Sequence, residues 1–257
     1  MRVREVLFRV YRHHLRRALR TGPLPRHLAI IIDGNRRWAR QMGYDNPSVG
    51  HRYGAEHMDE LLGWCGEAGI THVTIYVCSI DNLRKRNEIE VAYLMRLIED
   101  VVEQRITARA GTWQLHLAGH PDVLPDTTRH ALKRAIDATA EVQARFHLTV
   151  AIGYDGRQEI VDAVRSLLET EAHMGTPIRA LASRVTEHDI ADHLYTRGQP
   201  DPDIVIRTSG ERRMSGFLLW QSAQAELYFC DVYWPGFREV DFLRALRAYA
   251  ARRRRIT

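Results

Sequence analysis

The sequence lacks any long apolar run and contains few cysteines. A membrane-spanning helix needs roughly 20 consecutive apolar residues, and no segment of the 257 residues approaches that length. Cys65, Cys78 and Cys230 are scattered without a Cys-x-x-Cys pair, which argues against a cysteine-based metal cluster. The N-terminus also lacks the apolar core of a secretory signal. We therefore expect reduced thiols in a cytoplasmic protein.

Internal repeats, low-complexity linkers and nucleic-acid-binding motifs are absent as well. With 45% hydrophobic and 27% charged residues, the chain has the composition of an ordinary soluble globular protein. Its length suits one sizeable α/β domain. The net charge of +5 favours anionic partners. Without an aromatic-interleaved basic patch, however, we expect no nucleic acid among those partners.

Acidic residues are scarce at the N-terminus, where Glu5 is the one acid among residues 2–20. Arginines and apolar residues alternate there at helical spacing, which predicts a basic amphipathic helix over residues 1–24. Residues 25–257 would then form the main domain. The helix has two interpretations: it docks on that domain, or it contacts an anionic membrane surface. A second basic run, 252–255, closes the chain.

Strand-like and helix-like segments alternate along the rest of the chain. Strands are predicted at 27–32, 72–78, 113–117, 148–152, 203–206 and 227–229. Helices are predicted at 36–42, 55–68, 89–108, 127–144, 157–172, 187–194 and 240–252. This alternation indicates an α/β single-domain fold with a central, mostly parallel sheet of about six strands flanked by helices.

Polar residues collect where four of these strands end. They are Asp33, the segment 79–82, the segment 153–157 and the segment 207–211. In parallel sheets, ligands bind beyond the carboxyl ends of the strands. We therefore expect the functional site at that edge of the sheet.

The first strand ends in Asp33-Gly34-Asn35 and leads directly into a helix that begins with Arg36 and Arg37. Free backbone N–H groups and the positive end of the helix dipole favour an anion there, typically a phosphate. Asp33 would repel a phosphate unless both share a divalent cation, for which Mg²⁺ is the usual choice. This junction predicts a Mg²⁺–diphosphate site.

The segment 207–215 predicts a second anion site. Arg207 follows a buried strand, and a glycine turn then presents Arg212, Arg213 and the hydroxyl of Ser215. Guanidinium groups match phosphate oxygens in a bidentate way. The alternative is a surface loop with ordinary ion pairs.

Further candidates each have a structural alternative. Glu226 lies between apolar residues, so ligation of a metal or pairing with an arginine would offset its burial. His51 could contact a phosphate or cap a helix, and Asn82 could orient substrate or form an Asx turn. The apolar faces of helices 55–68 and 89–108 could enclose a hydrocarbon tail or form core.

Taken together, these segments resemble the cis-prenyltransferase family over nearly the whole chain. The matching segments are 27–38, 50–51, 76–82, 153–157, 203–215, 217–221 and 225–235. The resemblance implies an enzyme that condenses isopentenyl diphosphate with an allylic diphosphate, forms a cis double bond and uses Mg²⁺. It also implies a homodimer.

The resemblance assigns roles to individual residues. Asp33 would be the catalytic acid and, with Glu226, a metal ligand, with Glu226 donated across a dimer interface as one option. Asn82 would accept the proton, directly or through water or a phosphate oxygen. The remaining substrate-binding residues would be Gly34, Asn35, Arg36, Arg37, Trp38, His51, Ser79, Ile80, Asp81, Leu83, Lys85, Arg207, Arg213, Met214 and Ser215.

The loop after the second strand departs from the family pattern. Asp81 stands where a glutamate is common, Leu83 where a tryptophan is common, and Lys85 at the usual arginine position, so Arg84 or Arg86 could take over that role. The chain resembles actinobacterial short-chain members that make (2Z,6E)-farnesyl diphosphate from geranyl diphosphate. The alternatives are a long-chain C50–C55 polyprenyl diphosphate synthase and a non-catalytic membrane-binding or nucleic-acid-binding protein.

Overall fold

The computed structural model describes residues 2–19, 22–106, 112–140 and 144–256. Its centre is one sheet of six strands in the order β3-β4-β2-β1-β5-β6, and every pairing is parallel. The strands are β1 (His27–Ile31), β2 (His72–Ser79), β3 (Trp113–Ala118), β4 (Phe146–Tyr154), β5 (Ile204–Arg207) and β6 (Glu226–Phe229). The predicted fold class is confirmed.

The central strand β1 lies between β2 and β5. Its last residue, Ile31, is in register with Tyr76 of β2 and with Arg207 of β5. The chain segments that follow these three strands therefore leave the sheet side by side. This topology brings Asp33 and Arg207 to the same edge.

Eleven α-helices surround the sheet among the described residues. They are α1 (Arg2–Leu19), α2 (Asn35–Gln41), α3 (Ser48–Glu56), α4 (Met58–Ala68), α5 (Ile80–Lys85), α6 (Glu88–Asp100), α7 (Asp126–Ala140), α8 (Gly156–His173), α9 (Ile178–Arg184), α10 (Glu187–Ala191) and α11 (Glu239–Ile256). A π-helical turn, Val101–Ile106, continues α6.

The structure differs from the helix prediction in three places. The predicted helix 55–68 is divided between α3 and α4, with His57 as the C-cap of α3 and the N-cap of α4. Helix α5 occupies a predicted loop, where Ser79 and Asn82 form a reciprocal capping box. Helix α9 lies in a stretch rich in turn formers. The predicted helix ends at 107–108 and 141–143 lie outside the described residues.

The N-terminal helix α1 packs against α11. Leu15 and Leu19 of α1 are 2% and 6% exposed and belong to the main core, the larger buried cluster that also contains Leu28 and Ile30 of β1 and Leu246 of α11. Arg12 and Arg16 form ion pairs with Glu239 at the start of α11. This part of α1 is therefore docked on the domain through its apolar face. Among the described residues, none of the helices has the length and apolarity that crossing a bilayer requires.

Candidate active site

A tight turn connects β1 to α2. Gly34 has a φ of +103°, and a Cβ atom there would lie 2.7 Å from the ring of Tyr233. A side chain at position 34 would therefore be strained in its backbone and would collide with Tyr233. Glycine lets the chain enter α2 directly after Asp33, with Gly34 as the N-cap residue in the left-handed region.

Asp33 is held by two arginines. Arg207 donates to its Oδ2 over 2.9 Å, and Arg37 donates to its Oδ1 over 3.2 Å. Burial is the largest single effect on the pKa of Asp33 and raises it. Hydrogen bonds from Arg207 and Ser209, together with the charges of both arginines, outweigh burial, so the net pKa lies below its usual value. Asp33 is therefore a carboxylate at neutral pH.

Arg207 links Asp33 to the following loop. Its side chain is nearly buried, and besides Asp33 it donates to Ser215 Oγ over 2.7 Å and to the carbonyl of Arg213. Its Nε is buried without a hydrogen-bond partner among the described residues. Arg213 is 68% exposed and forms an ion pair with Glu211. Met214 packs on a second core cluster, which includes Ile31, Tyr76, Tyr154 and Phe217. The structure thus places Arg207 and Ser215 beside Asp33.

A cavity of about 320 Å³ opens next to Asp33. Its polar end is lined by Asp33, Gly34, Asn35, Arg36, Arg37, Arg40, His51 and Arg86. Its apolar part is lined by side chains of α4, α6, the π-helical turn, β2 and β4, among them Met58, Val77, Leu94, Ile98, Val101 and Val150. A cationic mouth and an apolar interior suit a molecule with an anionic head and a hydrocarbon tail.

Glu90 on α6 organises the cationic mouth, and the sequence analysis missed it. This glutamate is buried and accepts a hydrogen bond from His51 over 3.0 Å, with Arg36 at 3.6 Å and Arg86 at 3.8 Å. Burial lowers the pKa of His51, against the opposing effect of Glu90. The signal in the sequence was a glutamate within a helix that has a mostly apolar face. A buried glutamate almost always has a partner, so this position indicated a cationic neighbour.

The predicted site residues after β2 lie on helix α5 or at its cap, and they are not among the residues that line the cavity. Asn82 donates its backbone N–H to Ser79 Oγ over 2.9 Å, and its Oδ1 accepts from the Ser79 N–H. Asp81 and Lys85 pair with each other over 2.5 Å on the surface, where Lys85 is 75% exposed. Ile80 and Leu83 are partly buried, and Leu83 packs against the main core.

Arg86, rather than Lys85, reaches the cavity. It lines the polar end, and its Nη1 is buried without a hydrogen-bond partner among the described residues. Of Arg84, Lys85 and Arg86, Arg86 is therefore the candidate for the role that the resemblance gives to an arginine. Trp38, by contrast, stacks on Tyr44, packs at a tilt against Tyr53 and is not among the cavity-lining residues.

Glu226 does not lie beside Asp33 within one chain. It begins β6, three residues before Phe229, which is in register with Arg207. It is therefore about 10 Å down the sheet from the site edge. There it pairs with Arg252 of α11 over 2.5 Å. A metal-ligand role for Glu226 stays a prediction and would require a second chain.

The single carboxylate of Asp33 fits a metal ion that takes its remaining ligands from substrate phosphates and water. No cluster of three or more His, Cys, Asp or Glu side chains that could hold a metal occurs among the described residues. Mg²⁺ commonly binds through one or two carboxylates together with substrate phosphates and water. The partly exposed carboxylate of Asp33, beside a cationic cavity mouth, has that character.

Comparisons with known proteins agree with this geometry. A prenyltransferase family model described as "Putative undecaprenyl diphosphate synthase" matches residues 31–257. An isoprenyl transferase of Streptomyces fradiae is 57% identical over 99% of both chains. A (2Z,6E)-farnesyl diphosphate synthase of Mycolicibacterium smegmatis is 50% identical over 99% of this chain and 97% of the relative.

A solved structure shares the fold. It is lavandulyl diphosphate synthase from Lavandula x intermedia in complex with dimethylallyl diphosphate, with a TM-score of 0.82 and 31% identity. The match covers 88% of this chain and 95% of that one. The fold and site define an enzyme that transfers prenyl groups. The chain belongs to the cis-prenyltransferase family.

Proposed function

We propose that this chain condenses isopentenyl diphosphate with geranyl diphosphate and releases (2Z,6E)-farnesyl diphosphate. The observation that carries the proposal is the cavity beside Asp33, which has a cationic mouth and an apolar interior. Actinobacterial relatives at about half identity carry the corresponding name.

The allylic diphosphate would bind at the start of α2. The N–H groups after Gly34, together with Arg36, Arg37 and Arg86, supply donors and positive charge for the head group. Negative charge develops on this diphosphate as it leaves, and these fixed cations stabilise it. Asp33 would hold Mg²⁺, which when bound adds a further positive charge at the leaving diphosphate.

Isopentenyl diphosphate would bind on the other side of Asp33. Arg207, Arg213 and Ser215 provide the donors for its diphosphate. Holding both substrates on one sheet edge lowers the entropic barrier to the reaction between them. A carbon–carbon bond forms to C1 of the allylic unit as its bond to the diphosphate oxygen breaks, and a C2 proton leaves the isopentenyl unit.

Asn82 is the proposed residue at the proton-transfer step. Its amide has no basic lone pair of useful strength, and its Oδ1 already accepts hydrogen bonds from Ser79 and from Arg86. We infer that it orients a water molecule or a diphosphate oxygen that takes the C2 proton. A positioning role agrees with its fixed place in the cap of α5.

The cavity volume favours a short product. Ligand pockets span roughly 300–1,000 Å³, and about 320 Å³ is at the small end of that range. A C15 chain suits this space better than a C50–C55 chain does. The long-chain alternative is supported by the description of the family model, and product size separates the two.

We also propose a homodimer. Strand β6 is an edge of the sheet, and Leu227 on it is exposed in the single chain. Edge strands are usually covered, and light scattering of the purified protein measures the oligomeric state. Contact with an anionic membrane stays a prediction. Because Leu15 and Leu19 of α1 are packed in the core, exposed arginines such as Arg17 and Arg255 would carry it.

One incubation tests the proposal. The pure protein is given radiolabelled isopentenyl diphosphate and Mg²⁺ with a C5, C10 or C15 allylic primer, and the dephosphorylated products are sized. We expect a C15 product from the C10 primer that depends on the metal. Products of C50–C55 would favour the alternative, and no labelled product with any primer would reject the enzyme activity.

A further inference from the structure

Three aromatic rings pack behind the candidate active site. The ring of Tyr76 on β2 stacks on Phe217, with centroids 4.7 Å apart and planes inclined by 7°. Tyr154, at the end of β4, meets both rings edge-on at 5.8 and 6.1 Å. All three side chains are buried. Tyr76 is not among the residues lining the cavity next to Asp33.

Tyr76 is the last regularly paired residue of β2 before an irregularity. The pairing of β2 with β4 shifts between Tyr76 and Cys78 and again before Ser79. Val77 and Cys78 consequently both pack with the main core, whereas Tyr76 belongs to the second core cluster. A bulge of this kind redirects the end of a strand. Here it sets the direction in which the chain enters the Ser79–Asn82 turn.

The Tyr76 hydroxyl fixes this irregular strand end. It donates to the carbonyl of Tyr154 over 3.4 Å, and Tyr154 is the register partner of Ser79. Burial raises the pKa of Tyr76, and side-chain hydrogen bonding with Ser79 lowers it. The hydroxyl therefore stays protonated, and its hydrogen bond ties the end of β2 to Tyr154, the β4 residue in register with Ser79, which caps α5.

The ring of Tyr76 supports the opposite half of the site. The loop after β5 contains three non-glycine residues with positive φ: Ser209 at 81°, Ser215 at 51° and Leu218 at 44°. Such conformations persist only where the surroundings hold them. Phe217 lies inside this strained segment, two residues after the Ser215 that bonds Arg207. Its stack on Tyr76 is thus an anchor for the Arg207–Ser215 loop.

We propose that Tyr76 is a positioning residue that holds the two halves of the active site relative to each other. Its ring fixes the loop that presents Arg207 and Ser215, and its hydroxyl fixes the turn that presents Asn82. This inference rests on the proposed function, because it takes these two segments to be the isopentenyl-binding and proton-transfer halves. Tyr76 acts through its neighbours and does not touch substrate.

Two kinds of substitution separate the two contacts. Tyr76→Phe keeps the ring and removes the hydroxyl. Tyr76→Leu and Phe217→Leu remove the stack. Matched controls lie far from the site: Tyr249→Phe removes a hydroxyl that is hydrogen-bonded to Arg253 on α11, and Phe146→Leu removes the stack of Phe146 on Trp113 at the start of β4. Thermal unfolding of every variant reports the general cost in stability.

The readouts are the KM of each substrate, kcat, and the isotope effect with isopentenyl diphosphate deuterated at C2. For Tyr76→Phe we expect kcat to fall about tenfold with a larger isotope effect and a nearly unchanged KM. For the two leucine variants we expect the KM of isopentenyl diphosphate to rise about tenfold, with little change in the KM of the allylic substrate. The controls should retain wild-type values of all three readouts.

Wild-type kinetics in Tyr76→Phe, or leucine variants that change only stability as Phe146→Leu does, would overturn the inference. The same holds if all variants lose kcat equally without a change in isotope effect or in substrate discrimination. Failure of the proposed function is a separate result, because the wild-type protein itself would then form no prenyl product with any primer.

Discussion

Arg207 donates a hydrogen bond to Asp33 over 2.9 Å from a side chain that is only 6% exposed. The pair joins the ends of β1 and β5, and Arg37 binds the other carboxylate oxygen of Asp33. Because the Nε of Arg207 has no partner among the described residues, the guanidinium depends on Asp33, Ser215 and a backbone carbonyl. Asp33 is thus both the centre of the proposed site and a structural counter-charge.

We predict that Asp33→Asn abolishes most of the condensation activity and also lowers stability. Loss of the carboxylate removes the proposed metal ligand, and a fall in turnover of about 10³-fold is expected. It also removes the carboxylate that pairs with the buried guanidinium of Arg207, which keeps its uncharged partners Ser215 and the Arg213 carbonyl. The free energy of unfolding should therefore fall by roughly 1–3 kcal/mol. Single-turnover assays and urea unfolding measure the two effects. Asp122→Asn, at an exposed position, is the control, and near-normal turnover of Asp33→Asn would reject the assigned role.

We predict that Arg86→Ala weakens binding of the allylic diphosphate. The buried, unpartnered Nη1 of Arg86 lies in the cavity lining, and losing a charged hydrogen bond to a phosphate should raise the KM of the allylic substrate by about tenfold or more. Arg84→Ala removes the same charge from an exposed position of α5 and should change this KM less than twofold. A larger effect for Lys85→Ala than for Arg86→Ala would contradict the assignment.

The sheet was predictable from the sequence, but the conformation of the segment after β2 was not. Strands such as 27–32 are continuous apolar runs ending at glycine or polar residues, and that pattern is set locally. Asp33 and Arg207 could be placed together because parallel strands share a carboxyl edge. The position of Arg86 depends on α5, a short helix created by the Ser79–Asn82 capping box, and on the buried Glu90. Glu226 begins β6, so within one chain it lies away from the carboxyl edge, and its role as a metal ligand stays a prediction that involves a second chain.

We predict that Gly50→Ala disrupts the start of α2. A Cβ atom at Gly50 would lie 2.1 Å from the backbone oxygen of Asn35, so α3 or α2 must shift away. Overpacking of this kind costs roughly 1–3 kcal/mol in the free energy of unfolding, and displacement of the diphosphate-binding turn should raise the KM of the allylic substrate. Urea unfolding and steady-state kinetics measure both.

Gly63→Ala on α4 is the matched control. Nothing lies within 4 Å of a Cβ atom at that position. Replacing a helical glycine by alanine there should leave the kinetics unchanged and raise stability by about 0.5–1 kcal/mol. Equal behaviour of the two variants would show that the close approach of α3 to Asn35 is unimportant.

We predict that a row of histidines makes the fold sensitive to acid. His27, His72 and His147 are in register on β1, β2 and β4. The rings of His72 and His147 stack at 4.5 Å, and His116 contacts His147 over 3.2 Å. Burial, reinforced by the charges of neighbouring histidines, lowers the pKa of His72 to about 4 and that of His116 to about 4. Arg26 adds further positive charge beside His72 and His147.

The sign follows from the unfolded chain, in which histidine has a pKa of about 6.5. As the pH falls below that value, the unfolded state takes up protons that the folded state refuses until about pH 4. The contribution of these histidines to the free energy of unfolding is therefore fully present above the unfolded-state pKa and is lost as the pH falls. We expect the free energy of unfolding to fall by about 2 kcal/mol between pH 7 and 5, a value that takes the partial exposure of the histidines into account. Urea unfolding at both pH values measures it. His72→Gln should lose about half of this dependence, whereas His188→Gln, at a position 83% exposed, should keep it. An unchanged pH dependence in His72→Gln would show that the histidine row does not control acid stability.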